Sequence, residues 1–485
     1  MNKVEELLKK NGPMISGDLA RLYEKKYGVS NEAARKAISR SKSPVKRLYK
    51  IKFDKNQVFC YLEGQYMGEK YADALMAAIE THSKTIYSFI QAFVSQNGVV
   101  SKKLLPSFVA SPVGKVKGHR IYSDILQKLI DAQVIKENDE ETYSLSPVFC
   151  DAINAHRARG LEVVKNVITQ DFNSWARSIN MVSYGQGKCL FEAPDFGQFQ
   201  WAYTAPSYIQ PLFSFESEKP GFVVADVFYG KTATVNSIRF FVDKVEILRS
   251  YKNIPSFLPI LLVDKIEREA LDYLKENKVT VAVLNNLFSD KYTELLADLV
   301  SMFTNASAII SSDPTKLYQL FDGIRKNEGR YNNLAGDLFE LLVGSHFSHV
   351  GCQFLKLQDE VYDPDTGKKK EIDLIVFKDG RYLVIECKAQ KSKLDDKFVR
   401  KWISENVPIT RKCLMDRYST DKIDFQLWSV NGFTDEAIVL LKKAKEETKK
   451  YAIEYYERDQ MIDIAKSAGN QYFVEIMNEH FSPSK

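Results

Sequence analysis

Asp373, Glu386 and Lys388 lie within "EIDLIVFKDGRYLVIECKAQ", residues 371–390, a stretch otherwise rich in strand-forming side chains. Two carboxylates and an ammonium in such a setting are the materials of a divalent-cation site, because hard cations take oxygen ligands. Residues 372–377 and 382–387 carry Ile, Val, Leu, Phe and Tyr, which suit a pleated, half-buried surface. Asp379-Gly380 between them is a favoured pair for a two-residue type I′ turn. Counting outward from that turn sets Phe377 opposite Tyr382, Ile375 opposite Val384 and Asp373 opposite Glu386. Opposed residues lie roughly 4.5–5.5 Å apart at Cβ, where like charges destabilise, so this pair requires a cation between them. Lys388, two residues beyond Glu386, projects from the same face. Charged residues are common on the solvent faces of strands. Here the register pairs the carboxylates, and both strands are apolar enough to be central in a sheet.

The elements around this hairpin must position it. Upstream, "NNLAGDLFELLVGSHF" (332–347) places Leu334, Leu338, Leu341 and Leu342 at helical spacing, with Glu340 beside that stripe and one turn beyond Gly336. Downstream, "DDKFVRKWISENV" reads as an amphipathic helix, "DFQLWSV" as a strand, and "TDEAIVLLKKAKEE" as a helix capped by Thr434. Helix, hairpin, helix, strand, helix over about 325–460 resembles the PD-(D/E)XK nuclease superfamily, in particular Mrr-like restriction endonucleases and archaeal Holliday-junction resolvases. The resemblance implies that Glu340 is the acidic residue of the first helix, helping to hold a metal ion or its water. It implies that Asp373 and Glu386 hold Mg²⁺, with Mn²⁺ as a substitute, and that Lys388 is the motif lysine. Gln390 lies where Mrr-like members often carry a polar residue, and "VNGFTDEA" is similar to their strand-to-helix junction. The implied chemistry is phosphodiester hydrolysis. A carboxylate-held metal activates water and polarises the phosphate, while Lys388 orients the water or offsets developing charge.

Residues 1–66 predict three helices and a hairpin. Val4, Leu7 and Leu8 mark the first helix, which Asn11-Gly12 ends. A second spans about 15–27, with Leu19, Leu22 and Tyr23 inward and Gly28 as its stop. Ser30 caps a third, whose first turn Glu32 supports. "YKIKF", Asp54-Lys55-Asn56 and "VFCYL" then form a wing. The stretch resembles a winged helix-turn-helix domain, whose third helix would offer Asn31, Arg35, Lys36, Ser39 and Arg40 to the major groove. Winged helices also serve protein contacts. Here 15 Lys and Arg against 7 Asp and Glu give the stretch a net +8, which favours double-stranded DNA. Residues 67–150 repeat the plan as helix, short helix, helix and a two-stranded wing, but the wing is acidic ("KENDEE") and points to a spacer or dimerisation role.

Residues 155–305 carry a second version of the downstream order. "FVVADVFYGK" is a strand after Pro220-Gly221, followed by a helix, the strand "FLPILLV", a helix and the strand "VTVAVL". Aligning "VVADVF" with "LVIECK" puts Asp226 at the place of Glu386 and Phe228 at that of Lys388. Counting back from the turn places Ile209, Gln210 and Leu212 on the facing strand, without a paired aspartate. Asp226 and Lys231 are what remains for a displaced site. The expected architecture is multidomain: two α+β winged helices (1–66, 67–150), a degenerate α/β restriction-endonuclease-like domain (155–305), and an active one (320–485).

Composition sets the outer limits. A chain of 485 residues with 27% charged and 45% hydrophobic side chains exceeds a single core and matches an ordinary soluble protein. "SFLPILLVD", among the longest apolar runs, falls well short of the ~20 residues of a membrane span, and no run near Lys9 and Lys10 is long enough for a signal peptide. The six cysteines are scattered without a C-x-x-C pair, so neither zinc nor disulfides are expected and a reducing cytoplasm is the natural home. His346 and His349 form an H-x-x-H without a further ligand and read as ordinary residues at a helix end. The expectation is a Mg²⁺-dependent DNA endonuclease, acting as a homodimer in restriction or anti-phage defence. The alternatives are repair or junction resolution, and a non-cleaving DNA-binding regulator on a nuclease scaffold.

Overall fold

The computed structural model describes residues 2–114, 120–138, 141–150, 152–210, 212–213, 219–312, 317, 321, 335–364, 367 and 369–481. The chain divides into two compact units, Met1–Thr293 and Glu294–Lys485, each of mixed α/β structure. Among the described residues no helix is long and apolar enough to cross a membrane.

The first unit begins with α1 (Lys3–Asn11), β1 (Met14–Ile15), α2 (Ser16–Tyr27), α3 (Asn31–Arg40), β2 (Val45–Leu48) and β3 (Phe59–Leu62). Asn2 caps α1 by accepting from the Val4 N–H at 3.1 Å, and Gly12, at φ +82°, ends it. Ser30 caps α3 through the Ala33 N–H at 3.3 Å. Ala34 and Ile38 turn inward from α3, leaving Arg35, Lys36, Ser39 and Arg40 outside the core. The strands form a sheet in the order β1-β3-β2. The wing differs from its sequence reading: its first strand is Val45–Leu48, paired from Val45↔Leu62 to Leu48↔Phe59, and "YKIKF" lies in the loop. Ile51 and Phe53 are buried from that loop, so their alternation imitates a strand without pairing.

Next come α4 (Glu69–His82), α5 (Lys84–Ser95), β4 (Val99–Ser101), a single 3₁₀ turn at Leu105–Phe108, α6 (Tyr122–Asp131), β5 (Ile135–Glu137) and β6 (Thr142–Leu145). Their sheet runs β4-β6-β5, and the two strands after α6 form the expected hairpin. Residues 139 and 140 of the acidic wing lie outside the described residues.

The unit continues with α7 (Ala155–Ser178), β7 (Lys188–Cys189), the ribbon β8 (Asp195–Phe196) and β9 (Phe199–Gln200), β10 (Tyr203–Ser207), β11 (Gly221–Ala233), α8 (Val235–Arg249), β12 (Phe257–Ile266), α9 (Arg268–Glu276) and β13 (Thr280–Val283). Five of these strands make one sheet in the order β7-β10-β11-β12-β13, antiparallel at its first two steps and parallel at its last two. The strand facing β11 is Tyr203–Ser207, with Tyr203 opposite Ala225, and not the stretch around Ile209, Gln210 and Leu212. The connection back to Gly221 is long rather than a tight Pro-Gly turn, so a count from that turn lands on the wrong residues.

The second unit contains α10 (Ala335–His349), β14 (Phe354–Tyr362), β15 (Lys369–Lys378), β16 (Arg381–Lys388), α11 (Asp396–Lys401), α12 (Val407–Tyr418), β17 (Ile423–Ser429), α13 (Asp435–Glu447), β18 (Ile453–Glu457), α14 (Arg458–Ser467) and α15 (Gln471–His480). Its sheet runs β14-β15-β16-β17-β18, again with two antiparallel steps followed by two parallel ones. The two sheets thus share strand order and sense. Asp379 and Gly380 both have left-handed backbone, at φ +52° and +75°, as a type I′ turn requires. Gly344 lets α10 approach the sheet: a Cβ there would lie 3.2 Å from the Leu357 side chain and 3.4 Å from that of Leu374. Leu338, Leu341 and Leu342 are buried as the periodicity predicts, whereas Leu334 lies outside the described residues. Between α11 and α12 the helix widens into one π turn, Trp402–Asn406. Pro408 supplies the cause, since it lacks an N–H and its ring crowds the carbonyl four residues back.

Candidate functional site

In the second unit the hairpin registers as its turn dictates, with Phe377 opposite Tyr382 and Ile375 opposite Val384. Regular pairing ends at Leu374↔Ile385, and the next positions in that register are Asp373 and Glu386. There the Cys387 N–H donates to the Asp373 carboxylate, at 2.7 Å, instead of to a backbone carbonyl. Lys388 places its ammonium 2.7 Å from Glu386 and 3.2 Å from Asp373, and donates to the Cys387 carbonyl at 3.0 Å. A cation does stand between the carboxylates, and it is the protein's own.

Glu340 arrives from α10, half-buried, and accepts a hydrogen bond from the Gln358 side-chain amide at 3.1 Å. Burial pushes the Glu340 carboxyl well above the usual range, and Asp373 and Asp337 push it further. Burial likewise raises Glu386, helped by Asp373 and opposed by Lys388. For Lys388 burial works downward, but Asp373 and Glu386 outweigh it and hold the ammonium above its ordinary range. These carboxylates are destabilised without a further positive charge, and the lysine is firmly protonated.

Gln390 lies past the end of β16, donating to the Ser392 carbonyl at 3.3 Å, and the structure does not bring it to the carboxylates. The junction after β17 is held by Thr434, which caps α13 through the Ala437 N–H, and by Glu457, which accepts from the Phe433 N–H at 3.2 Å. His346 and His349 sit in the last turns of α10, the first buried beside Asn470 and the second near the Ala468 carbonyl.

Among the described residues no three His, Cys, Asp or Glu side chains converge into a ready metal cage. A Mg²⁺ ion commonly takes one or two carboxylates and completes its shell with water and substrate phosphate. Asp373 and Glu386, bracketing an ammonium, are a donor set of that kind, so the residues fit such an ion, with Glu340 held from α10 by the Gln358 amide.

The first unit answers differently at the equivalent strand. Asp226 on β11 is buried and accepts from the Ala202 N–H at 2.7 Å. Its partner is Lys244 on α8, which is fully buried. The Lys244 ammonium donates to Asp226 at 2.8 Å, to the Gln200 carbonyl at 2.9 Å and to the Ser107 carbonyl at 2.6 Å. Lys231 points elsewhere, to the Val94 carbonyl at 2.7 Å, so Asp226 and Lys231 do not form a displaced site. Phe228 is buried in the core, as an aromatic ring at that place would be. Sequence reading missed Lys244 because its partner is 18 residues away on another element, and it missed Gln358 because "KLQDE" carries no strand periodicity.

On α3, Lys36 pairs with Glu32 at 2.6 Å and Asn31 donates to Glu24 at 3.1 Å, while Arg35, Ser39 and Arg40 stand exposed beside them. No protein-family model matches this sequence, and no curated protein does.

Proposed function

We propose that the chain is a Mg²⁺-dependent DNA endonuclease of the PD-(D/E)XK type, with its chemistry in the second unit. The observation that carries the reading is the facing pair Asp373 and Glu386, which brackets Lys388 at the end of a central antiparallel hairpin. The reading is further supported by the helix glutamate at 340 and by the strand order of the sheet.

A bound Mg²⁺ or Mn²⁺ supplies a more acidic water and a polarised phosphoryl oxygen. Asp373 and Glu386, on adjacent strands, would hold that ion. Lys388, kept protonated by its neighbours, offsets negative charge as it develops on the phosphoryl oxygens. Glu340, held by the Gln358 amide at 3.1 Å, would accept from water beside that ion. The topology of residues 1–66, with exposed Arg35 and Arg40 on α3, supports a winged-helix module that docks on DNA phosphates. In the sheet of the first unit, the buried Asp226–Lys244 pair supports a nuclease-like scaffold without catalysis. The setting we favour is restriction or anti-phage defence.

Incubation of supercoiled plasmid with the full-length protein tests the reading. Relaxed or linear product with Mg²⁺, and none with EDTA, is expected. Plasmid that is bound but stays intact under both conditions would establish a non-cleaving DNA-binding protein instead.

A further inference from the structure

Gln358 sits inside β14 with φ +50°, a left-handed backbone that a non-glycine side chain in a strand rarely adopts. The ladder locates it. Leu357↔Leu374 and Asp359↔Ile372 share one register, so Gln358 faces Asp373 directly, and regular pairing lapses at this single place. Gln358, Asp373 and Glu386 therefore form one row across β14, β15 and β16, and the Gln358 amide reaches Glu340 at 3.1 Å. Backbone in such a region persists when its surroundings over-determine it, and it concentrates at working sites. If the kink itself were the purpose, glycine would provide it without strain. A glutamine keeps the strain and adds an amide.

We infer that Gln358 is a positioning residue: its amide fixes the Glu340 carboxylate over the Asp373–Glu386 pair, and the left-handed backbone exists to aim that amide. This rests on the metal-dependent reading of the site. Without the amide, Glu340 is free to turn from the sheet, and the ion's outer shell loses a fixed acceptor. Outer partners of this kind typically contribute 10–100-fold in metal affinity or activity.

The test uses the full-length protein and two variants. Gln358→Gly keeps the left-handed backbone without strain and removes the amide, while Gln358→Met keeps the length and removes the donor. Mn²⁺ binding is measured by calorimetry, metal-free melting by differential scanning, and cleavage by single-turnover rate and DNA KM. For Gln358→Gly we expect a melting temperature equal to or above wild type and an unchanged DNA KM. Mn²⁺ affinity and cleavage rate should fall at least ~10-fold. Gln358→Met should show the same losses. Wild-type Mn²⁺ affinity in Gln358→Gly, beside the weakened affinity of an Asp373→Asn control, would overturn the inference and leave the nuclease reading intact. A wild type that binds Mn²⁺ yet cuts no DNA would defeat the nuclease reading. The calorimetric comparison would still decide the role of Gln358, with a ~10-fold loss supporting it and no loss overturning it.

Discussion

Lys388 stands between two carboxylates, 2.7 Å from Glu386 and 3.2 Å from Asp373. An ammonium there offsets like-charge repulsion, but both Glu386 and Glu340 remain shifted upward by burial and by Asp373. Removing one negative charge should therefore cost the metal-free protein nothing. Glu386→Gln is expected to melt no lower than wild type without metal, to bind Mn²⁺ at least ~10-fold more weakly by calorimetry, and to lose cleavage. A lowered melting temperature with unchanged Mn²⁺ affinity would show the carboxylate to be structural. At this scale the sequence was informative where a turn set the register. Asp379-Gly380 is a local signal, and from it Asp373 and Glu386 could be paired by counting. Gln358 was illegible because nothing local marks a glutamine whose partner comes from a helix 18 residues earlier.

Among the elements, α10 and α8 carry buried ionisable groups with separate consequences. His346 on α10 has its pKa lowered to about 4 by burial, aided by His349 and Lys378. The unfolded chain takes up that proton first, so the contribution of His346 to stability is full above about pH 6.5 and is lost as pH falls toward 4. Urea unfolding should show a loss of roughly 2 kcal/mol from this group between pH 7 and 5. His346→Leu should lessen the difference between the two pH values, and an equal difference in the variant would refute the assignment. On α8, Lys244 ties Asp226 to the carbonyls of Gln200 and Ser107, so the 3₁₀ turn at Leu105–Phe108 is fastened to the sheet of the same unit. Leaving one buried charge unpaired costs about 3–5 kcal/mol, and Asp226→Ala should lower the first unit's stability by that order. Asp226→Leu with Lys244→Met should recover most of it in thermal melts. No recovery would mean that Lys244 acts through its carbonyl hydrogen bonds alone. The long apolar runs of β11 and β12 and the amphipathic helix α8 were legible from the sequence. The wing strand was misplaced because Ile51 and Phe53 are buried from a loop, and the strand facing β11 because its connection is long. Strands β14 and β18 gave little signal, since polar side chains interrupt their alternation.

At the scale of the whole molecule, charge is unevenly distributed. Residues 1–66 hold a net +8, while the entire chain holds +5, so the remaining 419 residues sum to −3. Arg35→Ala with Arg40→Ala should weaken DNA binding and reduce the slope of log affinity against log salt by about 0.9 for each phosphate that is no longer neutralised. An unaltered salt series would assign α3 to a protein partner. The two five-stranded sheets have one strand order, yet one brackets a lysine with two carboxylates and the other has sealed a single aspartate with a buried lysine. That asymmetry is the central claim. It is tested most directly by single-turnover cleavage of labelled duplex DNA by the full-length protein with Mg²⁺, comparing wild type, Lys388→Ala, and Asp226→Leu with Lys244→Met at matched folded fraction. Lys388→Ala should lose essentially all cleavage, and the double variant should cut at the wild-type rate. Cleavage that survives Lys388→Ala and disappears from the double variant would place the chemistry in the first unit and contradict the claim.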